Sequence, residues 1–115
     1  MEGFLFLCVN YIYMKIFVQI ASYRDPQLVP TIKDMLANAK KPNNLVIGIA
    51  RQYSDEDGFD NLDEYRKDKR FRILDIPYQD AKGVCWARHQ VQQLYKGETY
   101  TLQIDSHMRF VKDWD

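Results

Sequence analysis

The sequence predicts an α/β fold, a mostly parallel sheet with flanking helices, and three observations carry that expectation. Four short runs rich in β-branched, aliphatic and aromatic residues alternate with two amphipathic stretches at helical spacing. The first two runs are almost continuously apolar, the pattern of strands covered on both faces. Most of the connections are long enough for crossover helices, which parallel neighbours require.

Residues 15–23 (KIFVQIASY) are the first expected strand. Pro26 then suits a first helical position and Asp25 an N-cap, the cap competing with a ligand role for both Ser22 and Asp25. Leu28, Val29, Ile32, Met35, Leu36 and Ala39 recur at helical spacing, so residues 26–39 read as an amphipathic helix. Residues 45–50 (LVIGIA) form a second buried strand, and 51–70 a polar, solvated surface insertion with at most a short helix at 62–65. Residues 71–78 (FRILDIPY) are a third strand, placed near a sheet edge because Pro77 cannot donate to a ladder. Residues 81–95 read as a second helix with Val84, Ala87, Val91, Leu94 and Tyr95 on its apolar face, closed by Gly97. Residues 99–104 are the fourth strand, delivering Asp105-Ser106-His107 at its carboxyl end.

A chain of 115 residues is one domain by size, and 46% apolar residues with eight Tyr and six Phe give it globular composition. Sixteen basic residues balance sixteen acidic ones, so no global basic field would collect nucleic acid. Cys8 and Cys85 form no C-x-x-C pair, which favours a reducing, cytoplasmic setting over a disulfide framework. Residues 1–14 are expected to be an apolar leader, strand-like or poorly ordered. Glu2 stands where a secretory signal would be basic, and the stretch is shorter than the roughly 20 residues of a membrane span.

In parallel α/β sheets ligands gather beyond the carboxyl ends of the strands. Three polar groups fall there: residues 22–25, Arg51-Gln52 and Asp105-Ser106-His107. Asp105 and His107, two apart on a strand end, can leave the same face and clasp one divalent cation. A carboxylate with one imidazole suits Mn²⁺ better than Ca²⁺, with Mg²⁺ the alternative. The segment Asp55 to Asp60 is no EF-hand, because its glycine comes fourth rather than sixth. His89 reads as a surface histidine, Trp86 and Trp114 as packing residues, and no P-loop or Ser-His-Asp arrangement stands out.

The stretches IFVQIASYRDPQLVPTIKDMLANA, LVIGIARQ, KGVCWARHQVQQLYKGETYTLQIDSHMRF and KDWD resemble glycosyltransferases that attach N-acetylglucosamine to a hydroxyproline of a cytoplasmic ubiquitin-ligase adaptor. The likeness spans nearly all of residues 15–115 and is interrupted mainly at the charged insertion. It implies a GT-A (Rossmann-like) fold, a UDP-sugar donor, in the first place UDP-N-acetylglucosamine, a divalent metal, and a protein or glycan acceptor. The family's metal motif falls on Asp105-Ser106-His107, with Asp105 and His107 as ligands. The resemblance puts Ala21, Ser22, Tyr23 and Arg24 in the loop that receives the uridine, and Gln52 after the second strand against the base. Gly83 would turn an amide end of the second helix towards the nucleotide, and Asp105 and Ser106 would meet the donor. Arg88 would reach a phosphate or an acidic partner near Asp105, unless it snorkels to solvent or pairs with Asp75 or Asp80.

Such a domain continues past its metal motif into an acceptor-binding half that supplies the base. Residues 15–115 are therefore expected to be the donor-binding half, with an incomplete second half and no catalytic residue assignable. The alternatives are a nucleotide-sugar-binding module without turnover and an α/β interaction module that binds no nucleotide. The sequence leaves the oligomeric state open.

Overall fold

The computed structural model describes residues 14–115. The leader expected over 1–14 lies, but for Met14, outside the described residues. Six main elements follow in order: β1 (Ile16–Tyr23), α1 (Leu28–Asn38), β2 (Leu45–Tyr53), β3 (Phe71–Pro77), α2 (Val84–Gln92) and β4 (Tyr100–Asp105). The four strands form one sheet in the order β3-β2-β1-β4, every neighbour pair parallel. The α/β class and parallel sheet follow the sequence expectation, and Pro77 does lie on an edge strand.

Two apolar layers hold the helices to opposite faces. On one, Val18 and Ile20 of β1 and Ile47 and Ile49 of β2 meet Leu28, Ile32 and Met35 of α1, all fully buried. On the other, Phe17 and Ala50 meet Val91 of α2. Each of these side chains larger than Ala50 is worth about 1.5–3 kcal/mol when removed from water.

The chain moves outward from β1 through β2 to β3, then returns across the sheet to lay β4 on the other side of β1. Reversing direction while switching faces keeps the crossovers of one hand, as parallel units demand. The reversal opens a crevice between the carboxyl ends of β1 and β4, a topological switch point. There Ala21 stands level with Asp105 in the ladder.

Several boundaries differ from the sequence expectation, each for a local reason. α1 begins at Leu28 rather than Pro26, and its N-cap is Gln27, without a side-chain cap. The Asp25 carboxylate instead accepts from the Gln27 amide at 2.8 Å, an Asx turn that precedes the helix. β2 runs on to Tyr53 because partners from elsewhere satisfy its polar end: Arg51 pairs with Asp75 and Asp60, and Gln52 Nε2 donates to the Ser22 carbonyl. α2 is shorter than the expected 81–95, since Tyr78–Asp80 form their own 3-10 turn and Gly83 enters the helix at φ 96°. Tyr95 follows the helix and is exposed, and Val84 is 57% exposed instead of facing the core.

The charged insertion is not simply solvated. Leu62 is fully buried in the α1-side core, Tyr65 stacks on Phe71 with ring centroids 4.6 Å apart, and Asp60 has no exposed surface. The fourth strand is more exposed than the others, with Tyr100 and Leu102 open to solvent on the β4 edge. Among the described residues no helix is long and apolar enough to cross a membrane.

Candidate functional site

At the carboxyl edge of the sheet a cleft of about 270 Å³ opens between the ends of β1 and β2 and the start of α2. Ala21 and Tyr23 supply one wall and Gln52 the floor. Tyr78, Ala81, Gly83 and Val84 supply the other wall. The exposure of Val84 thus has a use: it is an apolar surface of the cleft. The volume lies near the lower bound of small-ligand pockets.

The backbone around the cleft is held by three ties. Gln52 Nε2 donates to the Ser22 carbonyl at 3.0 Å, and the Arg24 amide donates to the Gln52 carbonyl at 2.9 Å. Arg24 adopts φ 45°, a left-handed conformation that costs a non-glycine residue energy and is held by its surroundings. Its guanidinium grips Asp57 of the insertion through Nε at 2.7 Å and Nη2 at 3.2 Å, and lies 4.9 Å above the Tyr78 ring. The Ser22 hydroxyl is buried without a hydrogen-bond partner, so among its groups it is the carbonyl that joins this network. Gly83 has open space where a Cβ would stand, and its positive φ is the reason for glycine there.

Beside the cleft, in the β1–β4 crevice, lie Asp105, Ser106 and His107. Asp105 ends β4, and the chain bends at Ser106 and His107. The two candidate ligands therefore do not leave one strand face, as their spacing had indicated, but turn to different partners. Arg88 of α2 approaches the Asp105 carboxylate at 3.5 Å and, with the Gln103 amide oxygen facing it, receives a second anchor at 2.7 Å. Arg88 thus neither snorkels free nor pairs with Asp75, whose partners are Arg51 and Arg66.

Ser106 and His107 converge instead on Asp25. The Ser106 hydroxyl donates to Asp25 Oδ2 at 2.6 Å, and His107 Nδ1 lies 3.2 Å from the same oxygen. Partial burial by itself pushes the Asp25 carboxyl up. Hydrogen bonds from Ser106, the Gln27 amide and His107 outweigh it and hold the carboxyl below its ordinary range. The sequence offers Asp25 as a cap or as part of the polar group beyond the first strand, and no short-range signal marks its pairing with Ser106 and His107. The contacts that bring it into the crevice cross 81 and 82 residues of chain. Asp57 and Tyr78 were missed for the same reason.

The side chains of Asp105 and His107 are 59% and 64% exposed, so both are accessible to an incoming ion. Among the described residues no three His, Cys, Asp or Glu converge as a ready metal cage. A carboxylate oxygen and an imidazole nitrogen are both donor types that a borderline divalent ion accepts.

A protein-family model described as Glycosyltransferase (GlcNAc) matches residues 15–69 and 58–115, two segments that overlap within the charged insertion. A comparison with curated proteins gives no match.

Proposed function

Because this chain belongs to the GlcNAc glycosyltransferase family, we propose that it binds a UDP-sugar, UDP-N-acetylglucosamine first, for transfer to a hydroxyl of a protein or glycan acceptor. One observation carries this reading. The aromatic cleft and the Asp105-Ser106-His107 segment share the carboxyl edge of the sheet on either side of the end of β1. A planar base would lie against Tyr23 and Tyr78, with its diphosphate running from the cleft rim at Arg24 to the crevice.

In that crevice this chain's own groups suit an anion. Arg88 brings a guanidinium, and α2 brings the first-turn amides that follow Gly83, which have no partners within the helix. Asp105 and His107 are the residues that would hold a divalent ion, Mn²⁺ before Mg²⁺. Such an ion supplies charge neutralisation for a diphosphate leaving group. The Arg88 contact steers the Asp105 carboxylate, and Asp25 orients the imidazole through Nδ1, leaving Nε2 as the metal-binding nitrogen. An exposed, unpaired Cys85 suits a reducing, cytoplasmic setting.

Calorimetric titration of the chain with UDP, with and without Mn²⁺, tests the proposal. Binding is expected to strengthen with Mn²⁺, and Asp105→Ala or His107→Ala to weaken the Mn²⁺-dependent part about tenfold or more, or ~1.4 kcal/mol. No UDP binding in either condition would overturn it.

A further inference from the structure

Asp57 lies in the charged insertion and is not among the residues that line the cleft, yet its side-chain contacts end on Arg24 at the cleft. We infer that Asp57 is a positioning residue for the nucleotide: it fixes the Arg24 guanidinium at the cleft rim so that the free edge of that guanidinium meets a phosphate. The inference rests on the donor-site reading above.

Four observations support it. The grip is two-pronged, Nε to one carboxylate oxygen and Nη2 to the other, which fixes direction as well as distance. The Asp57 side chain is only 11% exposed, and its segment is itself held, the Asp57 amide donating to the Ser54 carbonyl at 3.0 Å. The insertion is anchored in the core by Leu62 and Tyr65, so Asp57 pulls from a fixed point. Finally, the guanidinium rests over Tyr78, a residue of the cleft wall, and Nη1 has no hydrogen-bond partner among the described residues.

The geometry separates two jobs an arginine can do. An arginine that only packs on Tyr78 would affect every ligand of the cleft alike. One aimed by a carboxylate, with a nitrogen left over, adds affinity in proportion to the phosphate charge it meets. Asp57 touches no ligand in this scheme and acts through Arg24 alone.

The test is calorimetric titration of the full chain with uridine, UMP and UDP, comparing the unmodified chain with Asp57→Asn, Arg24→Gln and the double variant. Asp57→Asn is expected to weaken UDP about fivefold to tenfold and uridine less than about twofold, with UMP between. In the Arg24→Gln background it should have no further effect. Should Asp57→Asn fold poorly, Arg24→Lys, which keeps the charge and loses the two-pronged grip, should show the same graded loss. Unchanged UDP affinity, or equal losses for uridine and UDP, would overturn the inference while leaving the donor site standing. Failure of the unmodified chain to bind UDP would remove both.

Discussion

Individual carboxylates in this protein have opposite effects on its pH response, and their partners decide which. Asp25 is half-buried and Glu98 buried, but hydrogen bonds from Ser106 in one case and Arg72 in the other leave both below the ordinary carboxylate range. Stability from such groups is present above their unfolded values and disappears as pH falls through the folded ones. Asp60 is the reverse. It has no exposed surface, neither carboxylate oxygen has a hydrogen bond, and burial pushes it up against the pull of Arg51 3.6 Å away. A raised carboxyl favours folding fully only below its unfolded value, and that contribution is lost as pH rises through the folded one. Asp60→Asn should therefore stabilise the chain at pH 7 by about 1 kcal/mol, because it removes the desolvated charge while keeping the shape of the side chain. Arg51 keeps Asp75 as its partner in that variant. The gain should shrink as pH falls and approach zero about one unit below the unfolded value, at pH ~3, where Asp60 is largely protonated in both states. Urea denaturation at the two pH values checks this, and a gain that grows on acidification would contradict it.

At the scale of elements, the sequence spoke most clearly where a segment's neighbours are its own. β1 and α1 were legible because β1 is a short, almost continuously apolar run and the apolar residues of α1 repeat with the helix period. The end of β2 and the anchoring of the insertion were not, because Arg51, Gln52, Leu62 and Tyr65 find their partners on other elements. Gly48 is a similar case: its strand is readable, its necessity is not. A Cβ at Gly48 would stand 2.6 Å from Phe17 Cζ and 2.8 Å from Cε1. The ring has little room to retreat, with the Arg72 guanidinium 5.7 Å and the Tyr95 ring 6.0 Å from its centroid. Arg72 is itself tied to Glu98 at 2.7 Å. Gly48→Ala is expected to cost about 1–3 kcal/mol by overpacking. Combined with Phe17→Leu it should cost less than the sum of the two single changes, because the smaller side chain vacates the contested space. Strict additivity in thermal denaturation would show that the contact is not the cause.

Over the whole molecule, the switch-point topology joins the candidate site to the opposite side of the helix layer. The positions of the three polar groups were readable from strand order alone, since parallel strands deliver their carboxyl ends to one edge. The way they interlock was not, because it depends on contacts across most of the chain. After β4 the segment from Ser106 onward doubles back along α1, where the Trp114 indole donates to the Met35 carbonyl at 2.9 Å and the Asp113 amide to Asn38 at 2.6 Å. The first tie of this return is Thr31. Its buried hydroxyl donates to the Ser106 carbonyl at 2.9 Å and accepts from the Met108 amide at 2.9 Å, bracketing His107. One side chain of α1 therefore sets the bend from which His107 reaches Asp25. Thr31→Val keeps the volume and removes both bonds, leaving a carbonyl and an amide unpaired at a cost of about 2–4 kcal/mol. Thr31→Ser retains the hydroxyl and should lose much less. If the bend matters to the donor, Thr31→Val should also weaken Mn²⁺-dependent UDP binding at a temperature where it remains folded, while Thr31→Ser binds as the unmodified chain does. Equal stability and equal binding of the two variants would mean that the bend is held by β4 and Asp25 without help from α1.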